Sequence, residues 1–183
     1  MPSAPRRESI AATPATGSPP CLEVPYRRSM DDDDADGSAI SRLLEETRRG
    51  LDRVEPADLA AAHAAGALVV DIRPVEQRQR DGALPDAVVI DRSVLEWRLD
   101  PSCRYRLPVA DDPDRRIVLV CNEGYSSSLA AHTLQQLGLA NATDLCGGYQ
   151  AWLATSRLVA AVADEPLARS GYDDVRSTVG GRG

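Results

Sequence analysis

The chain predicts an α/β fold, a parallel sheet with helices on both faces, from three observations. Short aliphatic and β-branched runs, "ALVVDI", "AVVI", "RIVLVC" and "ATDLC", alternate with longer stretches of helical periodicity. The runs are apolar almost throughout, as strands covered on both faces are, whereas a half-solvated sheet would alternate apolar with polar. Helical segments between strands are also what parallel neighbours need, because parallel strands require a crossover connection. At 183 residues and 43% apolar content, there is length for one packed domain plus tails.

Taken in order, residues 1–37 are rich in Pro, Ser, Ala and Asp without periodicity. They predict a disordered extension, since so little apolar surface cannot offset the entropy of ordering. A domain is expected over 38–165. It opens with a helix whose face carries Ile40, Leu43, Leu44, Thr47 and Leu51 and which ends near Gly50. "EPADLAAAHAAG" predicts a second short helix, with Pro56 in its first turn and Gly66 as its stop. "ALVVDI" is a strand, "RPVEQRQRDG" a short helix or loop, and "AVVI" at 87–90 another strand. "SVLEWRLDP" is a brief helix stopped by Pro101, followed by a loop over 101–116. "RIVLVC" is the third strand, "SSSLAAHTLQQLG" a helix ended by Gly138, "ATDLC" the fourth strand and "YQAWLAT" a closing helix. Residues 166–183 are expected to be a tail.

Composition narrows the function classes. The net charge is −7, but five of the 28 acidic residues sit in "DDDDAD", Asp31 to Asp36; the other 23 face 21 basic residues, all arginine, a balance of −2. No basic patch interleaved with aromatics is visible, so no nucleic-acid partner is expected. No secretory-type apolar run opens the chain and no stretch approaches 18 apolar residues, so no membrane partner and a cytoplasmic location are expected. Cys21, Cys103, Cys121 and Cys146 lie far apart without Cys-x-x-Cys spacing, and His63 and His132 lack ligand-spaced partners. No metal site is expected, and every cysteine is expected to be a free thiol.

Residues 118–138, "VLVCNEGYSSSLAAHTLQQLG", carry the chemistry. Cys121 ends a strand, where open parallel sheets bind their ligands. The six residues from Cys121 to Ser126 must turn the chain into a helix, and Gly124 supplies the backbone freedom for that turn. Such a curl points successive N–H groups inward at the positive end of the helix, forming an anion-binding nest. Bringing a thiol from about 8.5 to about 6.5 requires roughly 2.7 kcal/mol of preference for the thiolate. A helix terminus supplies about 0.3–2 kcal/mol, so N–H bonds to sulfur would have to provide the remainder. From the loop alone two readings stand: a reactive thiolate, or a strand-end cysteine that packs as a small hydrophobe.

The blocks "DIRPVEQRQRDGALPDAVVI", "LVCNEGYSSSLAAHTLQQLG" and "ATDLCGGYQAWLA", spanning nearly all of 66–155, resemble the three signature blocks of the rhodanese-like domain family. The shared features are an Asp-x-Arg after the first strand, a Cys-x-x-Gly-x-Ser loop and a Gly-Gly-x-x-x-Trp ending. The resemblance implies a rhodanese-like sheet of about four to five strands and a sulfurtransferase activity. Cys121 would be the catalytic nucleophile that carries sulfur as a persulfide, with Asn122, Glu123, Gly124, Tyr125 and Ser126 as the substrate-binding cradle. It implies no cofactor. Partners would be a small sulfane-sulfur donor and a thiol or cyanide-like acceptor, with a protein persulfide as a further donor.

A longer loop with Arg six residues after the cysteine fits phosphate in this family; here that position is Ser127, which disfavours a phosphatase or arsenate-handling enzyme. The remaining rival is a non-catalytic module that binds a partner or senses sulfane sulfur. Family members that accept thiosulfate well often carry Arg or Lys in the cradle, whereas this loop carries Glu123, so weak thiosulfate use is expected. Asp71 and Arg73 match the Asp-x-Arg pair and are expected to brace the sheet end, with Arg73 and Arg98 as pocket candidates. Arg92, Trp97 and Arg104 share the segment expected at the mouth. Ser126, Ser127 and Ser128 are expected to cap the helix, with donation to bound sulfur as a second role open to them; Trp152 is expected to anchor the last helix in the core, and Cys146 to pack inertly. Ala83 and Asp86 depart from the family's usual His and Gly.

Overall fold

The computed structural model describes residues 37–164. Residues 1–36 of the predicted disordered extension and the 166–183 tail lie outside these residues. Helix α1 (Ala39–Arg49) is started by Ser38, whose side chain accepts from the Ser41 N–H, and carries Arg48 and Arg49 in its last turn, where cations favour the helix dipole. A 3-10 turn at Pro56–Asp58 leads into α2 (Leu59–Ala64). Strand β1 (Leu68–Asp71) is followed by α3 (Val75–Asp81) and β2 (Val88–Val89). Then come α4 (Leu95–Leu99), β3 (Ile117–Val120), α5 (Ser126–Gln136), β4 (Ala142–Asp144) and α6 (Gly148–Asp164).

The sheet is parallel with order β2-β1-β3-β4. β1 and β3 are central and paired along their full length, Leu68 with Ile117 through Asp71 with Val120, and every residue of both is buried. That explains their unbroken apolar runs: each face of each strand has a cover. Leu68, Val70, Ile72, Ile117, Leu119 and Cys121 join a core with Leu95 and Leu99 of α4 and Ala130, Ala131 and Leu134 of α5. Val69, Val118 and Val120 point the other way, into a core with Leu59 of α2 and Tyr149 of α6. Strand periodicity thereby assigns Cys121 to the α5 face and Asp71 to the opposite one. Truncating Leu119 to Ala is expected to cost about 2–5 kcal/mol.

Two expectations about helices are corrected. On α1, Ile40 and Leu43 are exposed, and the buried stripe is Ser41, Leu44 and Thr47. Apolar spacing alone could not tell these stripes apart; packing against α5 selects the one that brings Arg48 to the cysteine loop. In α6 the anchor is Tyr149, which is buried, while Trp152 is partly buried beside it with ring centroids 5.3 Å apart. The Tyr149 hydroxyl, which must find a partner when buried, donates to the Asp81 carbonyl at 2.8 Å.

Candidate active site

Cys121 directly follows β3 and is 6% exposed. Gly124 adopts φ +81°, and the turn it makes aims its own N–H at Cys121 Sγ, 3.1 Å away. Ser127 Oγ lies 3.2 Å from the same sulfur. Helix α5 then starts at Ser126 with no side-chain cap, which corrects the expected serine capping. The reason is a competing acceptor. The buried Asp144 carboxylate at the end of β4 takes Ser128 Oγ at 2.7 Å and Ser127 Oγ at 3.2 Å, and Ser128 also reaches the Gly124 carbonyl at 2.9 Å. Ser126 is exposed.

The loop is clasped from behind by the start of α6. Its Tyr149 and Gln150 N–H groups donate to the carbonyls of Cys121 and Asn122 at 2.9 and 3.0 Å, which satisfies amides that a helix start leaves open. This approach needs glycine on both sides. A Cβ on Gly148 would sit 2.6 Å from the Cys121 carbonyl oxygen, and one on Gly124 would sit 2.9 Å from the Gly147 nitrogen. Gln150 Nε2 bridges Asn122 Oδ1 at 3.1 Å and Asp81 Oδ2 at 2.9 Å, tying the loop to the end of α3. The Asp81 carboxyl is held below the ordinary carboxylate value, first by the hydrogen bond from Arg80 and then, against its partial burial, by the charge of Arg80 and the bond from Gln150.

Charge reaches the loop from residues that the sequence reading did not single out. Arg48 of α1 donates from Nη2 to the Gly124 carbonyl at 3.1 Å and from Nε to Ser128 Oγ at 3.4 Å, with its guanidinium 5.4 Å from the centre of the Tyr125 ring. Arg53 grips Asp144 with two bonds, Nε to Oδ1 at 2.8 Å and Nη2 to Oδ2 at 3.2 Å. An acidic residue inside an otherwise apolar strand was the available signal for Asp144. Nothing in the spacing distinguishes Arg48 and Arg53 from the other arginines.

Among the residues expected at the site, Asn122, Glu123 and Tyr125 are half-buried in the loop, and Asn122 Nδ2 donates to Glu123 Oε1 at 3.2 Å. Arg73 is 1% exposed, on the opposite face of the sheet from Cys121. It pairs with Asp71 through Nη2 to Oδ2 at 2.7 Å, donates to the Gly82 carbonyl and stacks 3.5 Å from the centre of the Tyr149 ring. That is a brace for the sheet end, and breaking such a buried pair typically costs about 3–5 kcal/mol. Arg98 is exposed on α4 and donates to the Tyr105 carbonyl at 3.1 Å. Arg92 pairs with Glu96, Arg104 lies over the Tyr105 ring, and Trp97 is 57% exposed.

Cys103 is a free thiol in the 101–116 loop. Cys146 is buried at the end of β4 and disulfide-bonded, which corrects the expectation of free thiols throughout. Sequence spacing does not say whether folding brings two sulfurs within bonding distance. In this state Cys146 has no thiol to offer Cys121. Cys21 lies outside the described residues. Among the described residues no group of three or more His, Cys, Asp or Glu is placed to hold a metal, and no helix is long and apolar enough to cross a membrane.

Comparison with known proteins agrees with this geometry. The family model described as the rhodanese-like domain matches residues 55–155. Thiosulfate sulfurtransferase GlpE of Pseudomonas savastanoi pv. phaseolicola is 29% identical over 103 residues, covering 56% of this chain and 88% of that protein. Adenylyltransferase and sulfurtransferase MOCS3-2 of Zea mays is 36% identical over 85 residues, covering 46% of this chain but 17% of that one. Among solved structures, a Rhodopseudomonas palustris protein of unknown function, described as a possible tyrosine phosphatase, superposes with a TM-score of 0.59 at 32% identity over 66% of this chain and 92% of its own. With the family model covering the sheet, the cysteine loop and the start of α6, the chain belongs to the rhodanese-like domain family.

Proposed function

We propose that the protein is a sulfurtransferase that carries sulfane sulfur as a persulfide on Cys121. The observation that carries this reading is the Gly124 N–H pointed at Sγ at the mouth of α5, whose first turn is uncapped by any side chain. A sulfur so placed has a donor for its negative charge and a helix terminus of favourable sign. The Cys121 thiolate attacks the outer sulfur of the donor; a bond from Cys121 to that sulfur forms, and the donor's own bond breaks with its electron pair leaving on the departing sulfite or thiolate. A thiol or cyanide-like acceptor then attacks the outer sulfur, and Cys121 leaves as thiolate. The side chains need only hold negative charge at sulfur through both steps.

Glu123 in the cysteine loop opposes a dianionic donor, and Arg48, bonded to the Gly124 carbonyl, offsets part of that charge. We read the preferred donor as a low-molecular-weight or protein-borne persulfide, with thiosulfate poorer. A protein partner is in keeping with the maize relative, in which the matched region forms a small part of a larger protein.

Intact-mass measurement after incubation with glutathione persulfide tests the reading. A gain of about 32 Da, one sulfur, located at Cys121 and removed by cyanide, is expected, and Cys121→Ser is expected to abolish it. Absence of the adduct with glutathione persulfide, thiosulfate and mercaptopyruvate overturns it. Hydrolysis of a phosphate ester without any adduct would favour the activity suggested for the Rhodopseudomonas neighbour.

A further inference from the structure

Ser127 has one hydroxyl hydrogen and two claims on it. Its Oγ lies 3.2 Å from Cys121 Sγ and 3.2 Å from Asp144 Oδ2, and all three side chains are buried. Asp144, gripped by Arg53 through both carboxylate oxygens, is a carboxylate and can only accept. When the Ser127 hydrogen goes to Asp144, the oxygen can meet the sulfur only as an acceptor, so the sulfur must supply a proton. When the sulfur is an anion, the same contact requires the hydrogen to point at it. The contact with Asp144 then becomes one between two acceptors, at a cost limited by the donors Asp144 keeps: Oδ2 retains Ser128 Oγ at 2.7 Å and Arg53 Nη2 at 3.2 Å, and Oδ1 retains Arg53 Nε at 2.8 Å.

We propose that Ser127 is a switching hydroxyl: its hydrogen is donated to Asp144 while Cys121 bears a proton, and turns to the sulfur when Cys121 is anionic. The inference rests on the sulfur-transfer reading for its purpose, since a carrier sulfur passes through anionic states in each half of the cycle. In the switch itself no covalent bond to Ser127 forms or breaks. The Cys121 proton leaves to a solvent base, and the hydroxyl rotates about its own C–O bond.

Asp144 and Arg53 are positioning residues. The first parks the hydrogen; the second holds the first in place through two bonds. Ser128 completes the carboxylate's shell so that Ser127 can leave it at little cost. The serine lies one residue beyond the six-residue loop, inside the first turn of α5, so its oxygen is held by helix geometry while its hydrogen stays free to turn.

The test reads the sulfur directly. The rate of alkylation of Cys121 by iodoacetamide, followed by peptide mass spectrometry so that Cys103 does not contribute, is measured from pH 5 to 10. The charged and titratable groups on the loop and the elements packed against it are Glu123 and Tyr125 in the loop, Arg48 from α1 and the Arg53–Asp144 pair; α4, which packs on α5, carries Glu96 already paired with Arg92. All are retained in Ser127→Ala. That variant is expected to move the midpoint of the profile upward by about one pH unit, a roughly tenfold slower alkylation on the acid side, which is the effect of losing one hydrogen bond to an anion.

Ser128→Ala, which loses a bond to Asp144 but none to sulfur, is expected to move the midpoint by less than half as much. Superimposable profiles for the parent and Ser127→Ala, or equal displacement in both variants, would overturn the proposal. The same samples, treated with glutathione persulfide, separate the two readings. A shifted midpoint with no sulfur adduct on the parent sinks sulfur transfer and leaves the hydroxyl switch standing. An adduct on the parent with no shift in Ser127→Ala does the reverse.

Discussion

Three separate elements converge on the eight residues from Cys121 to Ser128. Arg48 from α1 holds the Gly124 carbonyl, Asp144 from β4 holds both serines, and the first amides of α6 hold the carbonyls of Cys121 and Asn122. On the flank formed by β2, α4 and the loop that follows, Val89, Val94, Trp97 and Tyr105 stand exposed, and the arginines bond to their own neighbours: Arg92 to Glu96, Arg98 to the Tyr105 carbonyl, Arg104 to the Tyr105 hydroxyl. The first region has its geometry fixed many times over by polar contacts; the second rests on the apolar residues beneath it, Ile90, Leu95, Leu99 and Ala110. The sulfur chemistry proposed for Cys121 needs the first kind of construction, and substitutions in the second are expected to leave the sulfur undisturbed.

The sharpest way to break this contrast is Gly148→Ala. Its Cβ would lie 2.6 Å from the Cys121 carbonyl and 2.7 Å from the Gly124 nitrogen, at φ +61°. A loss of at least about 3 kcal/mol in urea unfolding is expected, together with loss of sulfur uptake. Arg48→Gln, next in size, keeps a donor and removes the charge. It is expected to lower the rate with thiosulfate about fivefold, and less with an uncharged trisulfide donor, in steady-state assays at low salt.

On the open flank, Trp97→Ala is expected to change stability by less than about 0.5 kcal/mol while altering KM for a protein donor, so a fall in Tm of more than a few degrees would contradict the comparison. The smallest effect concerns Asp81, whose carboxyl is depressed when folded. Its stabilising contribution is present above the ordinary carboxylate value, about pH 4, and fades as pH falls below it. Asp81→Asn is expected to flatten the acid side of a Tm-against-pH curve below pH 4 and to leave the curve's shape at neutral pH alone, as read by thermal scans.

The sheet was legible because β1 and β3 are covered on both faces, which leaves an unbroken apolar signature, and the helices between them because crossovers must exist. Cys121 was legible because a strand end, a glycine and small polar residues coincide there. The buried face of α1 was not: Ile40 and Leu43 satisfy helical spacing as well as Leu44 does, and only α5 decides between them. The position of the serines suits capping, but a carboxylate 17 residues beyond Ser127 and 16 beyond Ser128 competes for their hydroxyls and wins. Arg48 and Arg53 were beyond reach, since in a chain whose 21 cations are all arginine no local pattern marks the two that the fold delivers. The Cys146 disulfide was equally hidden, because pairing depends on tertiary proximity.

The mutual closeness of Gly124 and Gly148 also sets a rule for redesign. Backbone presses on backbone there, so the turn that aims the Gly124 N–H at the sulfur has no slack. An engineer wishing to admit a bulkier oxyanion by inserting a residue after Cys121 would first have to retract the opening turn of the last helix, and the place to begin is 147–148.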